Sequence, residues 1–540
     1  MAIPSVIDGA YRQRRARAMA NGRWDDHAHV AAGQSGDGMM NFNPPSRPAD
    51  AEVLRDREKI AARSRAMTRN NGWAAGAVEK EVESVVGAQF RPTPKPDFRA
   101  LGLDAAWAAD FKRQVQSDWR AWAEDPLNMA DLSRTQSVGQ MLGGAYRSYV
   151  VDGDALAQIA WRPDRARGTC LRLIDPDLLS NPMDMPDEEY LRGGIELDQD
   201  GAAVAYHFRQ AHRATLWPGT KAMEWMSLPR EEVWGRPIIL HHFDKKRDGQ
   251  TRGVSRLAPI IEALQMEDQY GRTELQAAIL NAALALFVRS PMDAETMAEA
   301  LEDSSVADGI KKYDEYRTEF HGEDGVRFGG ARVPHLFPGE EIEAVSAVRP
   351  ASQFGEFEGA VLRKIASGLG ISYEQLSSDW SKTNYSSARA ALIEIWRGWT
   401  SKRESFAQGF CQPLYLAWLE EQITEGHIAL PEGAPDFYDA WAFYTRADWI
   451  GPGKGFVDPV KEATAAGVRV SLGLSTMERE AAELTGSDHS ENIEQIQMEI
   501  ESMKGLGIMH PAQESYAKLL ISGGQRQMEV APHPDEEDTQ

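Results

Sequence analysis

The chain has 540 residues, 42% of them hydrophobic, and a net charge of −23 from 82 acidic and 59 basic side chains. That length points to roughly two to four structural units, and the 15 tryptophans exclude wholesale disorder. The acidic balance excludes a protein that grips nucleic acid with its whole surface, because wrapping phosphates needs a basic one; a protein that lets DNA slide is not excluded.

Residues 1–50 are rich in Gly, Asn, Arg and Pro and read as an extended arm. The arm has no apolar segment of signal-peptide length. No uninterrupted apolar run in the chain reaches the ~18 residues of a membrane span. The expectation is a soluble protein made in a cytoplasm, with no membrane association. "YRQRRARAMANGR" gives this acidic chain a basic end, and two readings of it stay open: a solvated tail, or a contact with nucleic acid or an acidic partner.

From Asp50 to Val86 the pattern is helical and arginine-rich, with a break at "RNNGW" (Arg69–Trp73). Trp107, Phe111, Val115, Trp119 and Trp122 recur at spacings of 4, 4, 4 and 3, which predicts an amphipathic helix facing the core. A third helix is expected over Ser137 to Val151. Between Asp154 and His242 the runs "ALAQIAW", "CLRLIDP", "AVAYHFR" and "PIILHHF" predict a mixed α/β region with an antiparallel sheet. After Ser255, a candidate N-cap, with Pro259 in the opening turn, a long helix is expected to about Arg289. At ~1.5 Å per residue it would reach about 50 Å, with Gly271 the weak point of its continuity.

Residues 290–345 are charged, then Gly-rich, and predict a small α/β insertion. Phe354, Phe357, Val361, Ile365 and Leu369 share one face of a second helix, closed by Gly370. The loop "ISYEQLSSDWSKTNYSS" leads into a helix from about Ser386 to Gly426. Further on, Ser475 with Glu478 offers a capping box before more helices. The final "VAPHPDEEDTQ" reads as a disordered acidic tail.

Little in the chain points to catalysis. "GPGKG" (Gly451–Gly455) has a phosphate-loop look but lacks the GxxxxGK[ST] spacing, and reads as a turn. In "HHFD", His241 and His242 point to opposite faces of a strand and cannot easily share one ion; one is expected in the core and the other exposed. No GxSxG, HExxH or CxxC motif occurs, and no spacing selects two carboxylates. Cys170 and Cys411 cannot make a disulfide framework or a four-cysteine zinc site, and read as buried thiols in a reducing compartment. No metal or cofactor is expected, and an enzyme is the weaker class.

Four blocks carry a resemblance: "WGRPIILHHFDKKRDGQTRGVSRLAP" (Trp234–Pro259), "PGEEIE" (Pro338–Glu343), "LRKIASGLGISYEQLSSDWSKTNYSSARAALIEIWR" (Leu362–Arg397) and "GLSTMEREAAELTGSD" (Gly473–Asp488). In this order and spacing they resemble the lambda-type portal proteins of tailed bacteriophages, over about residues 50–500. The resemblance implies an α+β, mainly helical portal fold with wing, stem, clip and crown, assembling as a ring, usually of twelve subunits, at one capsid vertex. Genomic DNA would be packaged, retained and ejected through its channel. The division it implies is a flexible basic arm over 1–50, a wing over 51–253, a stem helix over 254–289 and a clip over 290–348. A second stem helix would cover 349–370 and a tunnel loop 371–386. A long helix and return to the wing would follow over 387–470, then crown helices over 471–525 and a tail over 526–540.

The implied partners are double-stranded DNA, the terminase large subunit, a head-completion or adaptor protein, and the major capsid and scaffold proteins. The implied location is the virion, after synthesis in the bacterial host cytoplasm. The family is not enzymatic and needs no cofactor; the competing reading is a nuclease or ATPase of the packaging machinery. In the tunnel loop, Lys382 would give one ring of positive charge. Ser381, Thr383 and Asn384 would add weak donors, with Tyr385 at the loop's end. A dense basic lining would hold DNA by counterion release; one sparse ring lets it slide. An ordinary solvated loop lysine is the other reading. Trp380 and Tyr385 are expected to anchor the loop's ends. Arg389, Trp396, Arg397 and Trp399, on the helix that follows, are read either as subunit-interface residues or as core within one subunit.

Overall fold

The structure is a computed structural model that describes residues 43–215, 220–284, 316, 319, 327–328, 331–332, 354–381, 385–456, 458–506 and 510. The first two helices, α1 (Ala49–Asn70) and α2 (Gly72–Val85), are one run broken at Asn71, inside the predicted break. The Asn71 carboxamide accepts from the Ala74 N–H at 3.0 Å and so caps α2. Helix α3 (Ala105–Ala123) buries Phe111, Val115, Trp119 and Trp122 as the periodicity requires. Helix α4 (Val138–Asp152) opens on a capping box of Ser137 and Gln140 and closes at Gly153, whose φ is +94°.

The expected sheet is divided in two. Strands β2 (Asp154–Trp161), β3 (Thr169–Leu173) and β8 (Ile239–Phe243) run antiparallel in the order β3-β2-β8. Strands β4 (Leu191–Arg192), β5 (Ile195–Leu197), β6 (Ala203–Arg209) and β7 (Trp225–Pro229) form a second antiparallel sheet. Leu156 and Ile239 of the first pack with Ile195, Tyr206 and Phe208 of the second in a small core of their own. Strand β1 (Arg91–Pro94) pairs far along the chain with β11 (Ala447–Ile450). The short β9 (Arg327–Phe328) and β10 (Ala331–Arg332) form a hairpin.

Asp154 joins the first sheet to α1 and to the approach to α5. Its buried carboxylate accepts from Arg252 Nε at 2.7 Å, from the Gly253 N–H at 2.6 Å and from Arg57, whose Nη2 is 2.9 Å away. Arg252 spends its remaining N–H groups on the carbonyls of Pro176, Leu179 and Gly193. Gly253 lies so close to Gly153 that a Cβ would fall 1.9 Å from the Gly153 carbonyl oxygen. Much of "GQTRGVSRLAP" is thus interior structure. Ser255 does not cap the long helix: its Oγ accepts from the Leu257 N–H at 3.1 Å, and a 3-10 turn at Ala258–Ile260 precedes α5 (Ile261–Leu284). Gly271 does not break α5, and the predicted run to Arg289 lies outside the described residues.

Helix α6 (Phe354–Leu369) matches its prediction and packs beside α5. Gly370, at φ +71°, ends it: the Gly370 N–H donates to Ser367 and the Ile371 N–H to Ala366, the Schellman pattern. The short α7 (Tyr373–Ser377) follows. Then α8 (Tyr385–Phe406), a π-turn at Ala407–Cys411 and α9 (Gln412–Thr424) form one continuous rod. At the π-turn Gly409 faces His242, where a Cβ would come 2.4 Å from the ring. Trp119, Trp122, Tyr415 and Trp418 join α3 to α9 in the main core.

After α10 (Phe437–Tyr444) and β11, helices α11 (Pro459–Ser471), α12 (Met477–Thr485) and α13 (His489–Gly505) finish the described chain. Helix α12 is capped by Thr476, not Ser475; the Ser475 side chain bonds Glu480 instead. "GPGKG" is a turn, as expected: the Lys454 N–H donates to Glu483 at 2.8 Å, and Gly453 lies against the backbone of residues 484–486. The histidine pair needs a correction. Both side chains are buried: His242 packs on Tyr149 and Phe406, while His241, 4% exposed, bonds Asp154. Burial lowers both, His242 to about 4, so both rings are neutral at pH 7.

Candidate functional site

The loop singled out by sequence runs between α7 and α8. Lys382, Thr383 and Asn384 lie outside the described residues, as does the Tyr385 side chain, although Tyr385 begins α8. The loop's approach is well defined. A capping box of Ser372 and Gln375 starts α7, and Ser378 ends it in the left-handed region at φ +55°. The Ser381 N–H donates to Asp379 Oδ1 at 3.0 Å, turning the exposed chain. Trp380, expected as an anchor, is 41% exposed.

The approach to the loop and the far part of the helix that follows it both rest on α2. On the α7 side, Lys80 Nζ donates to the Gln375 carbonyl and, at 2.7 Å, to Ser378 Oγ. On the α8 side, Arg403 donates to the Ser84 carbonyl at 2.8 Å and the Val85 carbonyl at 3.0 Å, the open end of α2. Burial pulls the Arg403 pKa down to about 10, still charged at neutral pH. Next to it Lys402 reaches Glu81 at 3.1 Å. Burial lowers the Lys402 pKa, and the Glu81 carboxylate opposes that shift.

Glu81, 2% exposed, also accepts from Tyr146 on α4 at 3.0 Å and faces Arg256, just before the long helix, at 3.3 Å. One buried carboxylate therefore touches α8, α4 and the approach to α5. Sequence reasoning did not find Lys80, Glu81, Lys402 or Arg403. In "VEKEVES" a lysine and glutamates look like a solvated helix face, and only the long-range packing shows otherwise.

The interface candidates separate. Trp399 is 8% exposed and belongs to the main core. Trp396 packs on Trp399 and lies under the Arg403 guanidinium at 5.2 Å. Arg389 and Arg397 are exposed. Among the described residues no group of three or more His, Cys, Asp or Glu side chains is placed to hold a metal ion. Among them, too, no helix is long and apolar enough to cross a membrane.

The family described as phage portal protein, lambda family, matches residues 35–403. The portal protein of Escherichia phage N15 is 33% identical over 490 residues, 90% of this chain and 92% of that one. Portal protein B of Escherichia phage lambda is 32% identical over 510 residues, 93% of this chain and 94% of the relative. A probable portal protein of Halomonas phage phiHAP-1 is 24% identical across 91% of this chain and 88% of its own. Among solved structures, a chain in the neck of an empty gene transfer agent particle, GTA, is loosely similar, with a TM-score of 0.39 and 14% identity over 81% of this chain and 94% of that chain. The chain belongs to the lambda family of phage portal proteins.

Proposed function

We propose that this portal protein forms a ring, of about twelve copies, at one vertex of a phage capsid, and that genomic DNA enters, is held in and leaves through the central channel. The carrying observation is the 33% identity to a portal protein across nine-tenths of both chains. The packed pair α5 and α6 adds support. Along it Met266, Leu275, Ile279 and Phe357 stay exposed, at 63, 64, 49 and 50%. Exposed apolar side chains on this pair are surface that neighbouring copies would cover when they pack side by side in a ring.

In this reading residues 51–253 with 387–470 are the wing, α5 and α6 the stem, 290–348 the clip, and 471–525 the crown. The clip docks the terminase large subunit and later the adaptor protein, and the wing meets capsid and scaffold proteins. The protein is made in the host cytoplasm and resides in the virion. It acts structurally, without catalysis or cofactor. Ser381, Lys382, Thr383, Asn384 and Tyr385 line the channel, with Lys382 as a sparse ring of positive charge, and Arg389 and Arg397 face a neighbouring subunit. The test is mass and symmetry of the purified chain by light scattering and electron-microscope class averages. A ring with a hole wider than duplex DNA (~20 Å across) is expected. A compact monomer that stays one in the presence of scaffold and capsid proteins overturns the reading. Lys382→Ala is then expected to package DNA but retain it poorly.

A further inference from the structure

The three C-terminal helices α11, α12 and α13 are attached to the wing in an unusual way. From residue 459 to 505 only Ala466, Glu480 and Asp488 are buried, and α13 buries nothing. None of these residues enters the main hydrophobic core. Besides the backbone contact of residues 453–454 with residues 483–486, what joins the helices to the rest of the chain is charge. Glu491 of α13 meets Arg91 of β1 at 2.8 Å and Arg120 of α3 at 2.6 Å. Glu478 of α12 meets Lys112 of α3 at 2.9 Å and Lys95 at 3.2 Å. Asp488, the N-cap of α13, is the centre. Its side chain, 0% exposed, lies 3.3 Å from Lys112 and accepts from Gln116 at 2.9 Å and Thr93 at 3.2 Å.

The charges are sorted. In every one of these ion pairs the cation is on the wing and the anion on the helices. Burial pushes the Asp488 carboxyl up, but Lys112, Gln116 and the Ser490 N–H outweigh it and hold it below the usual carboxylate range.

We infer that α11–α13 form a strap clipped to α3 and β1 by this charge-sorted clamp, which opens as a unit under ionic competition while the rest of the wing stays folded. The physical reason is a difference in driving force. Apolar burial holds the wing, and ordinary salts scarcely weaken it. Partly exposed ion pairs hold the strap, and salt screens them. The buried Asp488 sets where the strap seats, because removing its partners would leave a carboxylate without compensation. The strap is therefore a movable part of the fold at low energetic cost, and the inference does not depend on ring formation.

Hydrogen exchange of the full-length protein, read peptide by peptide, tests it. The two conditions are roughly 0.01 M and roughly 1 M sodium chloride, where charges are felt over ~30 Å and ~3 Å. In high salt the amides of α11–α13 should exchange about tenfold faster or more, with α3, α4 and β2 unchanged. Lys112→Glu should produce the same pattern in low salt, and Lys112→Arg should restore protection. If Lys112→Glu does not fold, Glu491→Gln, at a half-exposed site, gives a smaller shift of the same kind. Equal protection of the strap at both salt concentrations overturns the inference. So does exchange of strap and wing that rises together.

Discussion

Asp154→Asn is the sharpest probe of how the β2, β3 and β8 sheet is held to its surroundings. The carboxylate it removes serves two buried guanidiniums, Arg57 and Arg252, together with the Gly253 N–H and His241 Nε2 at 3.2 Å. The two arginines hold its pKa far below the carboxylate range despite complete burial. His241 is neutral, so the cluster carries two positive charges against one negative. Asparagine leaves both positive charges uncompensated and puts an NH2 where an acceptor is needed. Breaking a buried pair in this way costs about 3–5 kcal/mol, or roughly two to three and a half powers of ten in a local opening constant. Hydrogen exchange of peptides from β2, β3 and β8 at pH 7 reads that constant directly, with α13 as the internal control. Unchanged exchange in those strands would refute the reasoning. The pH dependence has a definite sign. A carboxylate with a depressed folded pKa gives its full stabilisation above the unfolded value of about 4 and loses it as the pH falls below that. Thermal midpoints of wild type and Asp154→Asn should differ most at neutral pH and converge in acid.

Four further outcomes are expected. Gly253→Ala puts a Cβ 1.9 Å from the Gly153 carbonyl oxygen, a backbone atom that cannot swing away, and should lower stability by about 3 kcal/mol or more. Gly271→Ala, mid-helix with nothing within 4 Å of the new Cβ, should raise it by about 1 kcal/mol in the same thermal melts. Trp399→Ala should cost about 3–5 kcal/mol in denaturant titrations, while Arg397→Ala should stay within about 0.5 kcal/mol in unassembled subunits. Cys170 and Cys411 are buried free thiols whose pKa values burial raises, so a thiol reagent at pH 7 should label neither until the chain unfolds.

The helices were legible because their signals are local. Asn71 breaks a periodic run and caps the next one, and Gly370 closes α6 with a left-handed turn. The sheet's division in two was not legible, since the runs "AVAYHFR" and "PIILHHF" look alike and only long-range pairing separates them. The π-turn at Ala407–Cys411 has no sequence signature; within it Gly409 lies so close to the His242 ring that no Cβ fits there. Ser255 and Ser475 looked like caps but found other partners a residue or more away. The loop's supports on α2 were invisible for the same reason. Lys80 and Arg403 acquire meaning only once α2 packs against α7 and the far part of α8, and no periodicity records such a juxtaposition.

That geometry divides the loop's properties into two that can be measured apart. Residues with interior partners, Lys80 at α7 and Glu81, Lys402 and Arg403 further along α8, hold the two flanking helices against α2. Ser381 is exposed at the loop's edge. Changing Lys80 to Ala removes two hydrogen bonds to the end of α7 and should speed hydrogen exchange there before it alters anything electrostatic. Changing Lys382 to Ala removes a charge and leaves both supports in place, so exchange in α7 and α8 should be unaffected while DNA retention falls. If both variants lose DNA but only Lys80→Ala loosens α7, placement and charge each matter. If Lys80→Ala alone loses DNA, the loop acts by position, and the lysine is an ordinary solvated side chain.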